Sequence, residues 1–369
     1  MSLEALADQA AIRTNLAQHS RAVDRADAAM LAQCYHRDGT VDYGFFKGAA
    51  VDFAPILAGA QAQGPVTQHR TAQMWIELGD DVATSESYVM AYAGDESVAD
   101  SPVQRLICGR YLDRHEKRAG QWRLAHRAYV LDTNLNWSGR FSKPGLGPLD
   151  GHVPVGGHGS ADAGMAILAT EAARQRTRTN GESGMQEAVT DTGGRMVETL
   201  VARQQIADLT MAYCRGVDRA DRELLATIFN ADATVVSGAF NGPAREFAET
   251  ICAMVEDVYE QTFHSIANQW IEISGESAVG ETYVIAVSTT REGGQAASDT
   301  LTGGRYIDSF ERHEGVWKIA SRSFVLDWMR SEPTTRQMDD GLYAALDLRG
   351  CRGGGDPVYS LAGAAKAAG

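Results

Sequence analysis

"RAVDRADAAMLAQCYHRDGTVDYG" runs from Arg21 to Gly44, and "RGVDRADRELLATIFNADATVVSG" runs from Arg215 to Gly238. The chain thus carries the same helical stretch twice, each time with an aspartate, Asp24 or Asp218, directly after an apolar Val. A shift of roughly 195 residues brings further stretches into register in the same order. "QHRTAQMWIEL" (Gln68–Leu78) meets "FHSIANQWIEI" (Phe263–Ile273), and "ESYVMAY" (Glu86–Tyr92) meets "ETYVIAV" (Glu281–Val287). "GRYLDRHEKRAGQWRLAHRAYVLD" (Gly109–Asp132) meets "GRYIDSFERHEGVWKIASRSFVLD" (Gly304–Asp327). A period this long describes two whole domains and not a solenoid of small units.

Within each copy, Ile12, Leu16 and Val23, then Met30, Leu31 and Cys34, keep helical spacing and predict two helices joined near "DRAD". The later stretches alternate and are rich in Val, Ile, Tyr and Trp, which predicts strands. "RHEKRAGQW" and "ERHEGVW" predict hairpin turns, with Gly120 and Gly315 supplying permissive dihedrals. Each copy therefore reads as an α+β unit: helices, then antiparallel strands forming one sheet with helices on one face. The expected division is 1–140 and 195–330 for the two domains. A Gly-rich tail and linker occupies 141–194, and a C-terminal tail occupies 331–369.

The 369 residues suit two cores, and 44% hydrophobic with 22% charged residues is ordinary globular composition. No stretch approaches the ~20 apolar residues of a membrane span. A net charge of −14 speaks against nucleic acid or an anionic membrane as partner. The start, "MSLEALADQAAIRTNL", reads as a first helix and not a signal peptide. Five cysteines without CxxC spacing fit a reducing cytoplasm, with the thiols mostly buried. His152 and His158 sit in "GLGPLDGHVPVGGHG", a flexible tract that preorganises ligands poorly, so no metal is expected.

A helix facing an apolar sheet has no packing use for Asp24 or Asp218. Each either pairs with a neighbouring Arg or faces a pocket. Asp27 and Asp221 fit N-caps of the second helix. His69 and His264 are each expected at the start of a strand, with alternation placing His69, Thr71, Gln73 and Trp75 on one side. A helix aspartate and a strand histidine can form a dyad. The carboxylate fixes the imidazole tautomer and raises the basicity of the other nitrogen, with no metal or cofactor needed. Arg127 and Arg322, in the last strand among aromatic residues, either reach into a pocket as fixed cations or pair with Asp113 and Asp308. Tyr43, Trp75, Tyr88 and Tyr129 in one half, and Trp270, Tyr283 and Phe324 in the other, are the candidate pocket walls.

Helical "GVD", a strand histidine, "GRYxD", a Gly turn with Trp and a final Arg-bearing strand together resemble the SnoaL-like branch of the nuclear transport factor 2-like superfamily. The resemblance covers both halves but not the tails or linker. It implies cone-shaped domains in tandem, each a curved antiparallel sheet wrapped on helices around a pocket. It is similar in particular to scytalone dehydratase, bile-acid 7α-dehydratase and hexachlorocyclohexane dehydrochlorinase, which use an Asp–His dyad as base. On that match Asp24 with His69, and Asp218 with His264, take the dyad roles. Tyr213, five residues before the Asp, assists the leaving group, with His19 in its place in the first half. The last-strand arginine of the dehydrochlorinase corresponds to Arg127 and Arg322.

The superfamily also holds isomerases, epoxide hydrolases, hydroxylase subunits and binding modules, so fold alone does not give the reaction. The expectation is a cofactor-independent cytoplasmic lyase acting on a small apolar or phenolic ring compound, by dehydratase-like elimination or C–C cleavage releasing formaldehyde. Enol isomerisation and a non-catalytic binding module stand beside it. The chain is expected as a homo-oligomer or as a pseudo-dimer of its own halves.

Overall fold

The computed structural model describes residues 2–64, 67–95, 101–139, 157–163, 192–237 and 240–361. In the first unit, α1 (Leu3–Asp24) begins at Ser2, whose hydroxyl accepts from the Ala5 N–H. A tight turn at Ala26 leads to α2 (Ala28–Gln33), where the Asp27 carboxylate accepts from Met30 N–H as the expected N-cap. Then follow β1 (Tyr35–Asp42), β2 (Lys47–Ala49), α3 (Ala50–Gln63), β3 (Gln68–Leu78), β4 (Val82–Asp95), β5 (Val103–Arg118) and β6 (Gln121–Ser138).

The second unit repeats the order. It runs through α4 (Thr192–Asp218), α5 (Arg222–Ile228), β7 (Phe229–Val236), β8 (Asn241–Pro243), α6 (Ala244–Val258), β9 (Tyr259–Ser274), β10 (Ser277–Glu292), β11 (Gln295–His313) and β12 (Val316–Pro333). Asp221 caps α5 through Leu224 N–H, as Asp27 caps α2.

Each unit forms one curved six-stranded sheet, ordered β2-β1-β6-β5-β4-β3 and β8-β7-β12-β11-β10-β9. The α+β class holds, with one amendment to the antiparallel expectation. β1 pairs with β6, and β7 with β12, in parallel. A helix and four strands separate these partners in sequence, which gives the chain the crossover that parallel pairing requires. The hairpins turn where expected. Ala119 and Gly120 have φ of 50° and 76°, and Glu314 and Gly315 have 52° and 83°, consecutive left-handed residues that suit a tight two-residue turn.

Two local irregularities decide which side chains face inward. In β3 the register with β4 slips between Thr71 and Met74, and in β9 the register with β10 slips in the stretch paired with Thr282 and Val284. A bulge reverses the alternation beyond it. Ile76 therefore joins the first core while Trp75 is turned away from it. At the "GRY" glycines the sheet and a ring close in. A Cβ on Gly109 would stand 2.4 Å from the Val130 carbonyl and 2.6 Å from the Tyr129 hydroxyl; on Gly304 it would stand 2.5 Å from the Val325 carbonyl and 2.6 Å from the Phe324 ring. Only glycine lets these aromatic rings lie across the strand.

The halves make direct contact. Arg215 at the end of α4 lies over the Trp75 ring, 3.6 Å from its centroid, and the Tyr88 and Phe263 rings are 5.0 Å apart. Gln73 accepts from the Ile266 N–H at 2.7 Å. Beyond β12 the chain returns to the first unit, where Tyr343 (in α7, Gly341–Ala344) and Leu346 enter its core. The Tyr343 hydroxyl donates to Asn136, and Leu131 N–H donates to the Leu348 carbonyl. Gly44, at φ 74°, lies against this segment so closely that a Cβ would stand 2.2 Å from the Ala345 carbonyl.

Candidate active site

The end of the long first helix and the third strand of each unit bring the aspartate and histidine together. Asp24 Oδ1 is 2.7 Å from His69 Nδ1, and Asp218 Oδ1 is 2.6 Å from His264 Nδ1. Each carboxylate also accepts from the backbone N–H of its own histidine. A carboxylate can only accept, so Nδ1 carries the hydrogen and Nε2 is left with the lone pair. Burial raises the cost of the Asp218 charge, but His264, Arg219 and the backbone N–H outweigh it and hold the carboxyl below its ordinary range. His69 lies at the start of β3 as expected. β9 starts earlier, at Tyr259, so His264 sits inside its strand.

In the second unit the dyad opens on a cavity of about 210 Å³. Its walls include His264, Tyr213, Tyr306 and Phe324, with Ile251, Met254 and Val255 from α6 and Ser237 from the turn after β7. The Tyr213 ring stacks on Phe247 at 5.9 Å and meets Tyr306 edge-on at 5.3 Å. Burial pushes its hydroxyl up, with Arg322 opposing only in part, so Tyr213 keeps its hydrogen at any working pH.

The first unit arranges the same frame with other side chains. Tyr43 and Ser237 are structural counterparts, since their N–H groups donate to the carbonyls of Phe46 and Phe240 in matching turns. The Tyr43 ring stacks on Tyr129 at 5.8 Å and lies 4.6 Å from Phe53, filling the position that Ser237 leaves open. Burial pushes its hydroxyl up to about 12, with Arg127 opposing. His19 replaces Tyr213 and its Nε2 lies 3.0 Å from the Tyr35 hydroxyl. Burial first, then Arg127 and His69, push the His19 imidazole well down, so it is neutral and no nearby carboxylate holds it as an imidazolium.

Arg127 and Arg322 resolve towards their strand neighbours. Arg127 holds Asp113 through two bonds of 2.7 Å, and Arg322 holds Asp308 at 2.8 and 2.7 Å, all fully buried. Arg322 is not among the residues that line the second cavity. The Arg322 guanidinium instead lies 4.1 Å from the Tyr213 ring centroid, and Arg127 lies 3.9 Å from that of Tyr111. They support the tyrosines from behind.

Four of the expected wall residues lie elsewhere. Trp75 and Tyr88 are packed between the two units. Trp270 and Tyr283 are about half exposed on the outer face of the second sheet. For the two tryptophans the bulges are the reason: strict alternation from the histidines put them on the wrong side. Phe324 lines the second cavity together with His264, and Tyr43 and Tyr129 stack on each other in the core of the first unit.

Two features went unassigned in the sequence. Thr67 and Thr262 precede the histidines by two residues; Thr67 donates to Asp24 at 2.9 Å, while Thr262 lines the second cavity with its hydroxyl unpartnered. The tails also repeat. Gly159 N–H donates to the Arg25 carbonyl and Gly353 N–H to the Arg219 carbonyl, and Asp162 and Asp356 then pair with those same arginines. Among the described residues no three His, Cys, Asp or Glu side chains gather to hold a metal, and no helix is long and apolar enough to cross a membrane. His152 lies outside the described residues.

A sequence profile of the SnoaL-like domain matches twice, over residues 4–128 and 198–323. The chain belongs to the SnoaL-like domain family. No curated protein sequence matches this tandem SnoaL-like chain. Solved structures similar to it include a type 2 hexachlorocyclohexane dehydrochlorinase, LinA, at 24% identity, covering 37% of this chain and 92% of that one with a TM-score of 0.34. A scytalone dehydratase candidate from Novosphingobium aromaticivorans is 22% identical, covering 36% and 88% with a TM-score of 0.33. A nuclear transport factor 2-like protein from Salmonella enterica is 19% identical, covering 35% and 92% with a TM-score of 0.32. Each spans about one unit of this SnoaL-like chain.

Proposed function

We propose that this protein is a cofactor-independent lyase in which His264, oriented by Asp218, is a general base acting on a small, largely apolar ring compound. The observation that carries this reading is the 2.6 Å Asp218–His264 contact at the wall of a cavity that Tyr213 also lines. In an elimination, His264 Nε2 takes a proton from the carbon next to the one bearing a hydroxyl. The C–H electron pair becomes the new double bond, and the hydroxyl leaves as water with the hydrogen donated by Tyr213; the imidazolium proton then restores the phenol. When the proton comes instead from the primary hydroxyl of a lignin-derived diarylpropane diol, the O–H pair becomes the carbonyl of departing formaldehyde, the broken C–C pair becomes the new C=C, and the hydroxyl on the next carbon leaves as water with the Tyr213 hydrogen. Apolar walls from α6 and Phe324 suit an aromatic or alicyclic substrate.

Incubating the purified chain with aromatic and alicyclic alcohols, without added cofactor, tests the reading. Loss of water or release of formaldehyde that disappears in Asp218→Asn is the expected result. Tight ligand binding without turnover in the wild-type chain would make it a binding module instead.

A further inference from the structure

The sheet wall of the second cavity carries hydroxyl groups that the first unit either lacks or has already engaged. On β9, Thr262 precedes His264 by two residues and lies opposite Ser288 of β10. Ala286, opposite His264, in turn lies opposite Thr302 of β11. All of these residues line the cavity. Thr262 is 3% exposed, and its hydroxyl has no hydrogen-bond partner. Among the described residues, none bonds to the Ser288 or Thr302 hydroxyl either.

The first unit repeats the register, with His69 opposite Ala91 and Ala91 opposite Ile107. There Thr67 donates to Asp24, and Ala93 and Ile107 replace Ser288 and Thr302. The unit whose cavity is filled is apolar at these positions; the unit whose cavity is open is not. A buried hydroxyl without a partner costs free energy and gains nothing in packing over its apolar isostere. Three of them beside one dyad therefore mark a place for oxygen from a ligand. Each can both donate and accept, and no Lys or Arg lines the cavity. The group they match is a neutral hydroxyl or carbonyl, not a carboxylate.

We propose that Thr262, Ser288 and Thr302 form a subsite for a second oxygen substituent, so that the ligand of this cavity is a neutral ring compound oxygenated at both ends. The inference rests on the lyase reading for the other end, where His264 and Tyr213 meet the reacting group. Two residues along a strand span about 7 Å, close to the reach of a six-membered ring with oxygens at opposite positions. Such a subsite selects by rejection, because a ligand lacking the second oxygen leaves the hydroxyls unpaired.

Calorimetric titration of the full chain with hydroquinone and with para-cresol tests this, since para-cresol replaces one hydroxyl by a methyl group of similar size. Hydroquinone is expected to bind roughly 10-fold tighter, the size of one neutral hydrogen bond, although para-cresol is the more apolar. The difference should shrink in Thr262→Val, Ser288→Ala and Thr302→Val and vanish in the triple variant. The para-cresol affinity should be kept there, which together with circular dichroism separates lost recognition from lost folding. A carboxylate analogue, para-hydroxybenzoate, should bind more weakly than hydroquinone. Equal affinities for the two phenols in the wild type would overturn the subsite while leaving the ring-compound reading intact. A preference that survives the triple variant, or tighter binding of the benzoate, would do the same. Binding of neither phenol would remove both.

Discussion

At Tyr43 the first half places a phenol ring where the second half, at Ser237, leaves space. At His19 the first half has a neutral imidazole where the second has the Tyr213 hydroxyl. The returning tail packs on the first half beside Tyr43, whereas Leu326, the counterpart of the tail-covered Leu131, is 54% exposed. Yet the dyads are nearly superimposable in their bonding, at 2.7 and 2.6 Å. The polar frame can be kept while the volume in front of it is spent on packing.

The largest expected difference lies in the buried charges. Asp356→Ala leaves Arg110, Arg215 and Arg219 sharing only Glu86 and Asp132, one buried positive charge in excess, and should cost about 3–5 kcal/mol in chemical denaturation. Asp162→Ala removes the counterpart from a partly exposed Arg25 and should cost roughly 1 kcal/mol. Burial would raise the Asp356 carboxyl, but Arg110 and Arg219 hold it down to about 2. A depressed pKa contributes stability that is complete above the unfolded value of about 3.9. It is lost as pH falls from there towards about 2. Acid titration should therefore loosen the contact between the halves in that window, and Asp356→Asn should flatten the response. Equal costs for the two aspartates would erase the asymmetry.

The cavity itself can be exchanged. Ser237→Tyr should fill the second site as Tyr43 fills the first, reducing ligand binding by on the order of 10²-fold with a stability change below ~1.5 kcal/mol. Undiminished binding would place the ligand elsewhere.

The smallest contrast is at the threonines. Thr67→Val should cost about 0.5–1.5 kcal/mol, because it removes a hydrogen bond to Asp24. Thr262→Val should cost close to nothing, its hydroxyl having no partner. Thermal denaturation of the two variants reads the difference.

The repeat made most of this frame legible before any coordinates. The caps at Asp27 and Asp221, the hairpins at Gly120 and Gly315 and the meeting of Asp24 with His69 follow from residues written twice at one spacing. The walls were less legible because bulges carry no reliable local signature, and one slipped residue turned Trp75 and Trp270 outward. A signal for the interface did exist: Glu86, Arg110 and Asp132 recur as Glu281, Arg305 and Asp327 in stretches already aligned. Repetition could flag these charges, but only tertiary packing distinguishes a triad that is buried from one left open. The parallel closure of β1 on β6 depends on the curvature of the whole sheet, which no short stretch encodes.

The central assignment is His264 as the base of the open second pocket. Single-turnover rates of His264→Ala and His69→Ala on one substrate, with folding checked by circular dichroism, test it most directly. The expected result is a loss of about 10²–10⁴-fold in His264→Ala, with most of the rate retained in His69→Ala. Full activity in His264→Ala beside an inactive His69→Ala would contradict it.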